Sequence, residues 1–146
     1  IACFRELGLG CNVEIKPCEG REAGTARVAV ETLRRCWPAA LPAPLLSSFK
    51  DESLAAAQKA APEFARALLV SELGDDWRAR AEAVGAAGMN VGRRKLTAEG
   101  AVAVKRAGYV LSVWTVNDPD EARAIVGMGA DCIITDAPDV ILRALG

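Results

Sequence analysis

The stretch YVLSVWTVNDPDE, residues 109–121, decides the fold class because it has the pattern of a buried strand that passes directly into a helix. Residues 109–116 are rich in β-branched and aromatic side chains, which favour strands. Asp118 is followed three residues later by Glu121, and Pro119 stands at the first helical turn, a pattern typical of a helix N-terminus. The stretch therefore predicts one βα unit.

The same pattern continues on both sides of this stretch. Further strands are predicted over residues 11–16, 45–49, 67–70, 89–91 and 132–136. Helices are predicted over residues 22–37, from Asp51 to before Pro62, from Asp75 or Asp76 to about Gly88, from Thr97 to near Gly108, and from near Pro138. Short apolar strands that alternate with helices indicate a parallel sheet, either open and doubly wound or part of a (β/α)8 barrel. A full barrel needs roughly 250 residues, so this chain would hold most of one but not all.

The helix predicted over residues 22–37 is amphipathic. Its apolar stripe has spacings of three and four residues, as a core-facing helix requires, and consists of Ala23, Ala26, Val30, Leu33 and Trp37. The three prolines that follow, Pro38, Pro42 and Pro44, predict a loop before the next strand.

Composition excludes several classes of function. The 146 residues fit one domain, 51% of them are hydrophobic, and the formal net charge is −1. A chain without a basic field, with only 5% aromatic residues, is not expected to bind nucleic acid. No apolar run reaches the roughly 18 residues of a membrane span, and no signal peptide is seen. The first residue is Ile1 rather than methionine, which leaves room for a leader that was removed.

The cysteines argue for a reducing compartment. The chain has five of them, no CxxC pair and no histidine, so a structural zinc site is not expected. Free thiols and a cytoplasmic location are the simplest prediction.

The most informative polar pair is Glu14 and Lys16. Residues i and i+2 of a strand share a face, so Val13 and Ile15 would face the helices while Glu14 and Lys16 face the interior of the sheet or barrel. A carboxylate and an ammonium group at a strand end can hold a hard cation and an anionic oxygen. A buried ion pair that neutralises both charges is an equal alternative.

Other polar residues gather where the predicted strands end, which is where parallel α/β proteins bind ligands. Trp114 shares a strand face with Ser112 and Val116, and it either walls a pocket or packs in the core. Asp118 and Asp136 are expected to cap helices or support loops rather than to act chemically.

Four fragments, in order, resemble the glycerophosphodiester phosphodiesterase family. Residues 8–17, GLGCNVEIKP, resemble its "N-x-E-I-K" strand, and residues 46–49, LSSF, resemble the "S-S-F" strand that follows. Residues 114–117 match "W-T-V-N", and residues 129–138, GADCIITDAP, match the closing "G-x-D-x-I-x-T-D-x-P". Together the fragments span nearly the whole chain.

The resemblance implies an incomplete (β/α)8 barrel of the TIM type, a single partial domain over residues 1–146 that carries the third to eighth strands. It implies hydrolysis of glycerophosphodiesters to glycerol 3-phosphate and an alcohol. By resemblance Glu14 is a ligand of a divalent cation, magnesium or calcium, and Lys16 is a catalytic residue beside the phosphate. The resemblance also makes Phe49 and Trp114 line the pocket near the glycerol. It assigns supporting roles at strand ends and loops to Ser48, Asn117 and Asp136.

The family's "H-R-G" motif, its "E-x-D" pair and its second histidine do not occur in this sequence. Expulsion of an alkoxide needs a proton donor, and only Lys16 and Tyr109 are available candidates. We therefore expect this polypeptide alone to be nearly inactive and the preceding part of a longer protein to have been cleaved or left unseen. A barrel without its first two strands would also self-associate through exposed sheet edges.

Two other functions remain open from the sequence. The chain could be another phosphate-binding barrel enzyme, in which Glu14 is a general base and Lys16 forms a Schiff base. It could also be a non-catalytic fragment that binds a phosphodiester or complements another polypeptide.

Overall fold

The computed structural model describes all of residues 1–146 and contains six strands in one sheet. The strands are β1 (Asn12–Glu14), β2 (Leu45–Ser48), β3 (Arg66–Val70), β4 (Gly88–Gly92), β5 (Val110–Trp114) and β6 (Cys132–Ile133). The helices are α1 (Ala2–Leu7), α2 (Glu22–Cys36), α3 (Asp51–Ala60), α4 (Trp77–Ala83), α5 (Ala98–Arg106), α6 (Pro119–Gly127) and α7 (Pro138–Leu145), and a 3-10 turn covers Arg93–Lys95.

The strand order distinguishes the two architectures that the sequence left open. The strands lie in the order β1-β2-β3-β4-β5-β6, so no crossover reverses direction. A doubly wound sheet contains such a reversal, whereas a (β/α) barrel does not. The predicted fold class, an incomplete TIM-type barrel with about six βα units, is therefore confirmed.

The chain divides into two compact units. The first comprises Ile1–Leu68 and Ala79–Ala86, and the second comprises Leu69–Arg78 and Ala87–Gly146.

The core of the first unit forms where α2 and α3 cover the first strands. Its buried residues are Ile15, Ala26, Val30, Leu33, Leu46, Ala57, Ala61 and Phe64. Val13 and Trp37 pack against this cluster, as their predicted positions require, whereas Ala23 of the predicted stripe is exposed in the first turn of α2. Strands β1 and β2 are parallel, with Glu14 opposite Ser47.

The second unit is built on the pairing of β4 with β5. Five parallel residue pairs join these strands, from Gly88 opposite Val110 to Gly92 opposite Trp114. Strand β5 also pairs in parallel with β6, with Ser112 opposite Cys132. Strand β4 is buried throughout, as is typical of a parallel strand that is covered on both faces.

Two predicted helix starts are confirmed. Thr97 Oγ1 accepts a hydrogen bond from the Gly100 N–H at 3.1 Å at the start of α5. Asp118 Oδ1 accepts from the N–H groups of Asp120 and Glu121 at 3.0 and 2.9 Å at the start of α6. The Glu121 side chain does not bond back to the start of its own helix, and it pairs with Arg93 of the 3-10 turn instead.

Other predicted boundaries are wrong. Asp51 does not cap α3, because Lys50 is the N-cap residue and the Asp51 carboxylate accepts two hydrogen bonds from Arg80, at 2.9 and 2.8 Å. Helix α4 starts at Trp77 and ends before Gly85, whose φ of 56° is left-handed and ends a helix readily.

The remaining differences concern short elements. The strand predicted over residues 132–136 has only two residues, and neither α1 nor the 3-10 turn was predicted. All five cysteines are free thiols. None of the helices has the length and apolar character needed to cross a membrane.

Candidate functional site

The end of β1 is held in place by Ile15. Its N–H donates to the Ser47 carbonyl at 2.7 Å, its own carbonyl accepts from Ser48 Oγ at 2.6 Å, and its side chain is only 2% exposed. Glu14 and Lys16 flank this anchored residue, and both of their side chains are exposed. The local backbone therefore presents the carboxylate and the ammonium group away from the core.

The buried ion pair considered from the sequence is absent. Glu14 and Lys16 are both exposed, and the side chain of neither takes part in a hydrogen bond or a salt bridge. Two opposite charges at one strand end are thus available to a ligand. A purely structural pair would have been mutually satisfied.

Ser48 links the ends of β1 and β2. Besides donating to Ile15, its hydroxyl oxygen accepts from the Lys50 N–H at 3.1 Å, and Ser48 is fully buried. Phe49 stands between Ser48 and Lys50 in the chain. Its side chain is 41% exposed, which is unusual for a large apolar residue. The first unit thus contains Glu14, Lys16, Ser48 and Phe49.

Trp114 lies in the second unit and is half-buried. Its indole N–H donates to the Asn90 carbonyl at 3.1 Å, which joins β5 to β4. It lines a pocket of about 480 Å³ together with Ser71, Gly92, Arg93, Arg94, Lys95, Thr115 and Asn117. Of the two roles considered from the sequence, a pocket wall describes Trp114 better than simple core packing.

Gly92 is the one glycine whose lack of a side chain shapes this pocket. A Cβ atom at Gly92 would lie 2.6 Å from the Ser71 carbonyl oxygen, so any larger residue would push β4 away from the loop that follows β3.

Asn117 and Asp136 meet in the loops after β5 and β6. Asn117 Nδ2 donates to Asp136 Oδ2 at 3.1 Å, and Asn117 Oδ1 accepts from the Asp136 N–H at 2.9 Å. Thr135 Oγ1 also donates to Asn117 Oδ1 at 2.9 Å and accepts from the Ala137 N–H at 3.0 Å. This network joins the two loops at the carboxyl ends of their strands.

A basic 3-10 turn that was not predicted follows β4. Arg93 pairs with Glu121 at 2.5 Å and Lys95 pairs with Glu72, whereas Arg94 is exposed and has no partner. The available signal was the run of three basic residues directly after a buried strand. Such runs more often lie on solvated surfaces, so the run alone does not indicate a site.

The residues of this chain do not by themselves make a metal site. No group of three or more histidine, cysteine, aspartate or glutamate side chains is placed to hold an ion. Glu14 has a free carboxylate and fits one ligand position, but magnesium and calcium take about six or more oxygen ligands.

The fold and the strand-end groups together define a class of protein. Parallel βα proteins whose strands follow chain order bind their ligands at the carboxyl ends of the strands, where Glu14, Lys16 and Trp114 are found. Residues 2–140 match the glycerophosphoryl diester phosphodiesterase family. The chain belongs to that family.

Solved structures share the fold of this chain. A phosphodiesterase from Oleispira antarctica, in complex with the product sn-glycerol-3-phosphate, is 34% identical, has a TM-score of 0.94, and is covered over 58% of its length by 99% of this chain. A glycerophosphodiester phosphodiesterase from Parabacteroides distasonis is 23% identical with a TM-score of 0.76, and the match covers 94% of this chain and 56% of that one.

A glycerophosphoryl diester phosphodiesterase from Silicibacter pomeroyi shares the fold, with 21% identity, a TM-score of 0.84, and coverage of 99% of this chain and 52% of that one. The chain thus spans between 52% and 58% of the length of these three relatives. No curated protein sequence matches it.

Proposed function

We propose that this chain carries the third to eighth strands of a metal-dependent glycerophosphodiester phosphodiesterase, which releases glycerol 3-phosphate and an alcohol. The observation that carries the proposal is the exposed, unpaired Glu14 and Lys16 at the end of β1 in a member of this family. The product complex of the Oleispira antarctica relative supports glycerol 3-phosphate as the product.

Lys16 would act on the phosphate. Phosphoryl transfer places negative charge on the non-bridging oxygens, and a cation that is already positioned stabilises that charge. Lys16 follows the anchored Ile15, so its backbone position is defined while its ammonium group is not consumed by a carboxylate. These are the properties that a phosphate-binding lysine needs.

Glu14 would supply one oxygen ligand to a magnesium or calcium ion. When bound, such an ion would polarise a phosphoryl oxygen and favour attack by water. Because Glu14 alone does not make a site, the other ligands have to come from groups other than those of this chain, and we derive no reaction step through the ion.

Phe49 and Trp114 would contact the apolar side of the glycerol, and both have exposed aromatic surface. Ser48, Asn117 and Asp136 would hold the strand ends and loops in position. Ser48 is hydrogen-bonded to Ile15, and Asn117 is hydrogen-bonded to Thr135 and Asp136, which supports that role.

The leaving alkoxide needs a proton, and the 146 residues contain no histidine to give it. We infer that this polypeptide alone has almost no activity. Strands β1 and β6 stand at the two ends of the strand order, each with one edge that no strand covers, so we also expect the isolated chain to self-associate.

The test is release of glycerol 3-phosphate from glycerophosphocholine, with magnesium or calcium and then with chelator. The 146-residue protein, verified by mass, is compared with a fusion to the part of the Oleispira antarctica relative that this chain does not match. We expect no release from the chain alone and metal-dependent release from the fusion. Full activity of the chain alone would overturn the inferred inactivity. A folded fusion that releases nothing would overturn the proposed function, and release that survives chelation would overturn its metal dependence.

A further inference from the structure

The pocket that Trp114 lines lies entirely within the second unit, because every residue of its lining belongs to that unit. Its volume of about 480 Å³ falls within the range of small-molecule sites. All three cations of the 3-10 turn Arg93–Lys95 line it, and no carboxylate does. The pocket of this one unit therefore favours an anionic ligand.

Two of the three cations are already neutralised from outside the pocket. Arg93 is paired with Glu121 of α6 at 2.5 Å, and Lys95 is paired with Glu72. Neither of these carboxylates lines the pocket. Arg94 is exposed and has no partner, so the charge that remains for a ligand belongs to Arg94.

Two hydroxyl groups add donors on either side of Arg94. Ser71 directly follows β3 and Thr115 directly follows β5, and both line the pocket. The side chain of neither takes part in a hydrogen bond within the protein, and a hydroxyl group can turn to donate to an anion. The donors thus come from three separate segments around one space. A phosphate group, with three acceptor oxygens, suits such a set better than a planar carboxylate with two.

The backbone around these donors is fixed. Both neighbours of Arg94 are paired with other parts of the unit, and a Cβ atom at Gly92 would lie 2.6 Å from the Ser71 carbonyl oxygen, so the turn packs closely on the loop after β3. Asn90 lies two residues before Gly92 on the same face of β4, is 1% exposed, and its Nδ2 atom has no partner. This face of β4 therefore has an unsatisfied donor and no negative charge.

We propose that the second unit binds inorganic phosphate or a phosphomonoester in this pocket, with the phosphate on Arg94, Ser71 and Thr115 and beside the ring of Trp114. The ligand is a molecule separate from the diester substrate, either free phosphate or glycerol 3-phosphate that has been released. The inference rests on the proposed function in one respect. Because that function gives Trp114 a contact with the glycerol of the substrate, a phosphate in the pocket would exclude this glycerol and inhibit the enzyme.

The charge of the ligand favours the product over the substrate. A phosphomonoester carries a charge of about −1.5 to −2 at pH 7, whereas a phosphodiester carries only one negative charge. A guanidinium group forms charge-assisted hydrogen bonds with phosphate oxygens, and these strengthen with the negative charge on the acceptor. The pocket should therefore hold a released phosphomonoester more tightly than the phosphate of an intact diester.

Binding without turnover tests this inference. Inorganic phosphate, glycerol 3-phosphate or glycerol is added at constant ionic strength to the metal-free, ¹⁵N-labelled 146-residue protein, and the tryptophan indole N–H signals are followed by NMR. We expect phosphate to shift the Trp114 signal with a Kd on the order of 1 mM, and glycerol alone to bind at least about ten-fold more weakly. The signals of Trp37 and Trp77 are internal references, since neither residue lines this pocket.

The two phosphate ligands identify the source. Glycerol 3-phosphate should bind about three-fold more tightly than inorganic phosphate if its glycerol also contacts Trp114, which would support the product as the ligand. Equal affinities would support free phosphate.

Variants locate the anion. Arg94→Gln should weaken inorganic phosphate about ten-fold. Arg106→Gln is the matched control, because Arg106 is an exposed arginine of the same unit that does not line this pocket, and it should leave the affinity within about two-fold. Lys16→Gln changes the cation of the first unit and should leave the response of Trp114 to inorganic phosphate equally unaffected.

Several results would overturn the inference. Phosphate that does not shift the Trp114 signal, or an affinity that Arg94→Gln leaves unchanged, would exclude an anion site at Arg94. A loss in Lys16→Gln as large as that in Arg94→Gln would show that the second unit does not bind phosphate by itself. The proposed function fails separately, because phosphate binding that depends on Arg94, without any release of glycerol 3-phosphate by the fusion, contradicts only the hydrolysis.

Discussion

Charged side chains at the amino ends and at the carboxyl ends of the strands differ in whether their hydrogen bonds are made within the protein. At the amino end of β3, Arg66 is 8% exposed, and its guanidinium donates to the carbonyls of Val84, Phe64 and Gly85 at 3.0, 2.6 and 2.9 Å. Glu14 and Lys16, at the carboxyl end of β1, are exposed and without partners.

The second unit repeats the contrast. Asp131, directly before β6, accepts hydrogen bonds from the Leu111 N–H at 2.7 Å and from Lys105 Nζ at 2.6 Å. Arg94, which follows β4, has no partner. A charge whose hydrogen bonds are all made within the protein supports the fold, whereas an unpaired charge on an anchored backbone is available for a ligand. Barrel enzymes in general separate stability and chemistry between these two ends.

The largest effect should come from the carboxyl end. We expect Glu14→Gln to lower kcat/KM of the active fusion on the order of 10²–10³-fold, because the neutral amide binds a hard cation and organises charge poorly. Its denaturation midpoint should not change, since Glu14 is exposed and unpaired. Glycerol 3-phosphate release and urea unfolding are measured together, with the exposed Glu19→Gln as control. Unchanged activity of Glu14→Gln would remove Glu14 from the proposed site.

At the amino end the effect should be on stability. Arg66→Met leaves three buried carbonyls without their donor, and we expect the free energy of unfolding to fall by about 3 kcal/mol. Burial lowers the pKa of Arg66, yet the group stays charged at any working pH. Urea unfolding measures the loss, and Arg35→Met, at an exposed site on α2, should change it by less than about 0.5 kcal/mol. An equally small effect at Arg66 would show that water replaces the guanidinium.

Ser48 tests whether the carboxyl end also contains structural groups. Ser48→Ala removes the 2.6 Å hydrogen bond to the Ile15 carbonyl, and we expect a loss of about 1–2 kcal/mol of stability. Activity of the fusion should fall roughly ten-fold, because Glu14 and Lys16 flank the residue that is released. The neighbouring Ser47 is equally buried but its hydroxyl has no partner, so Ser47→Ala is a matched control that should be neutral or slightly stabilising. Equal losses in both variants would argue against a positioning role for Ser48.

The sequence predicted what depends on local spacing. The stripe Ala26, Val30 and Leu33 follows from helical periodicity, and the caps at Thr97 and Asp118 bond only two or three residues away. Local patterns of this kind can be recognised in a single sequence, because both partners of each contact lie within a few residues of each other.

Contacts between distant residues were not predictable in this way. Asp51 was expected to cap α3, but Arg80 lies 29 residues further on and takes its carboxylate. Glu121 likewise pairs with Arg93, 28 residues before it, instead of bonding back to the start of its own helix. The same holds for the candidate site: Glu14 and Trp114 stand in motifs, whereas the significance of Arg94 appears only when its neighbours are found paired and it is not.

The smallest effect concerns pH. The hydrogen bond from Lys105, and then that from the Leu111 N–H, lower the pKa of Asp131 below its ordinary value. A depressed folded-state pKa means that the stabilisation is present above the unfolded pKa of about 3.9 and is lost as pH falls through the folded value. Because the Asp131 side chain is 39% exposed, solvent screening limits the contribution to at most about 1 kcal/mol.

Urea unfolding of the wild type and Asp131→Asn between pH 7 and pH 3 measures this contribution. The difference in unfolding free energy between the two proteins should be constant near neutral pH and shrink below about pH 4. Asp139→Asn is the control, because Asp139 pairs with Arg143 on the exposed surface of α7 with no backbone N–H involved. If the difference for Asp131→Asn instead stays constant down to pH 3, the hydrogen bonds of Asp131, and not its charge, stabilise the start of β6. The two strand ends would then differ in hydrogen bonding but not in the contribution of charge to stability.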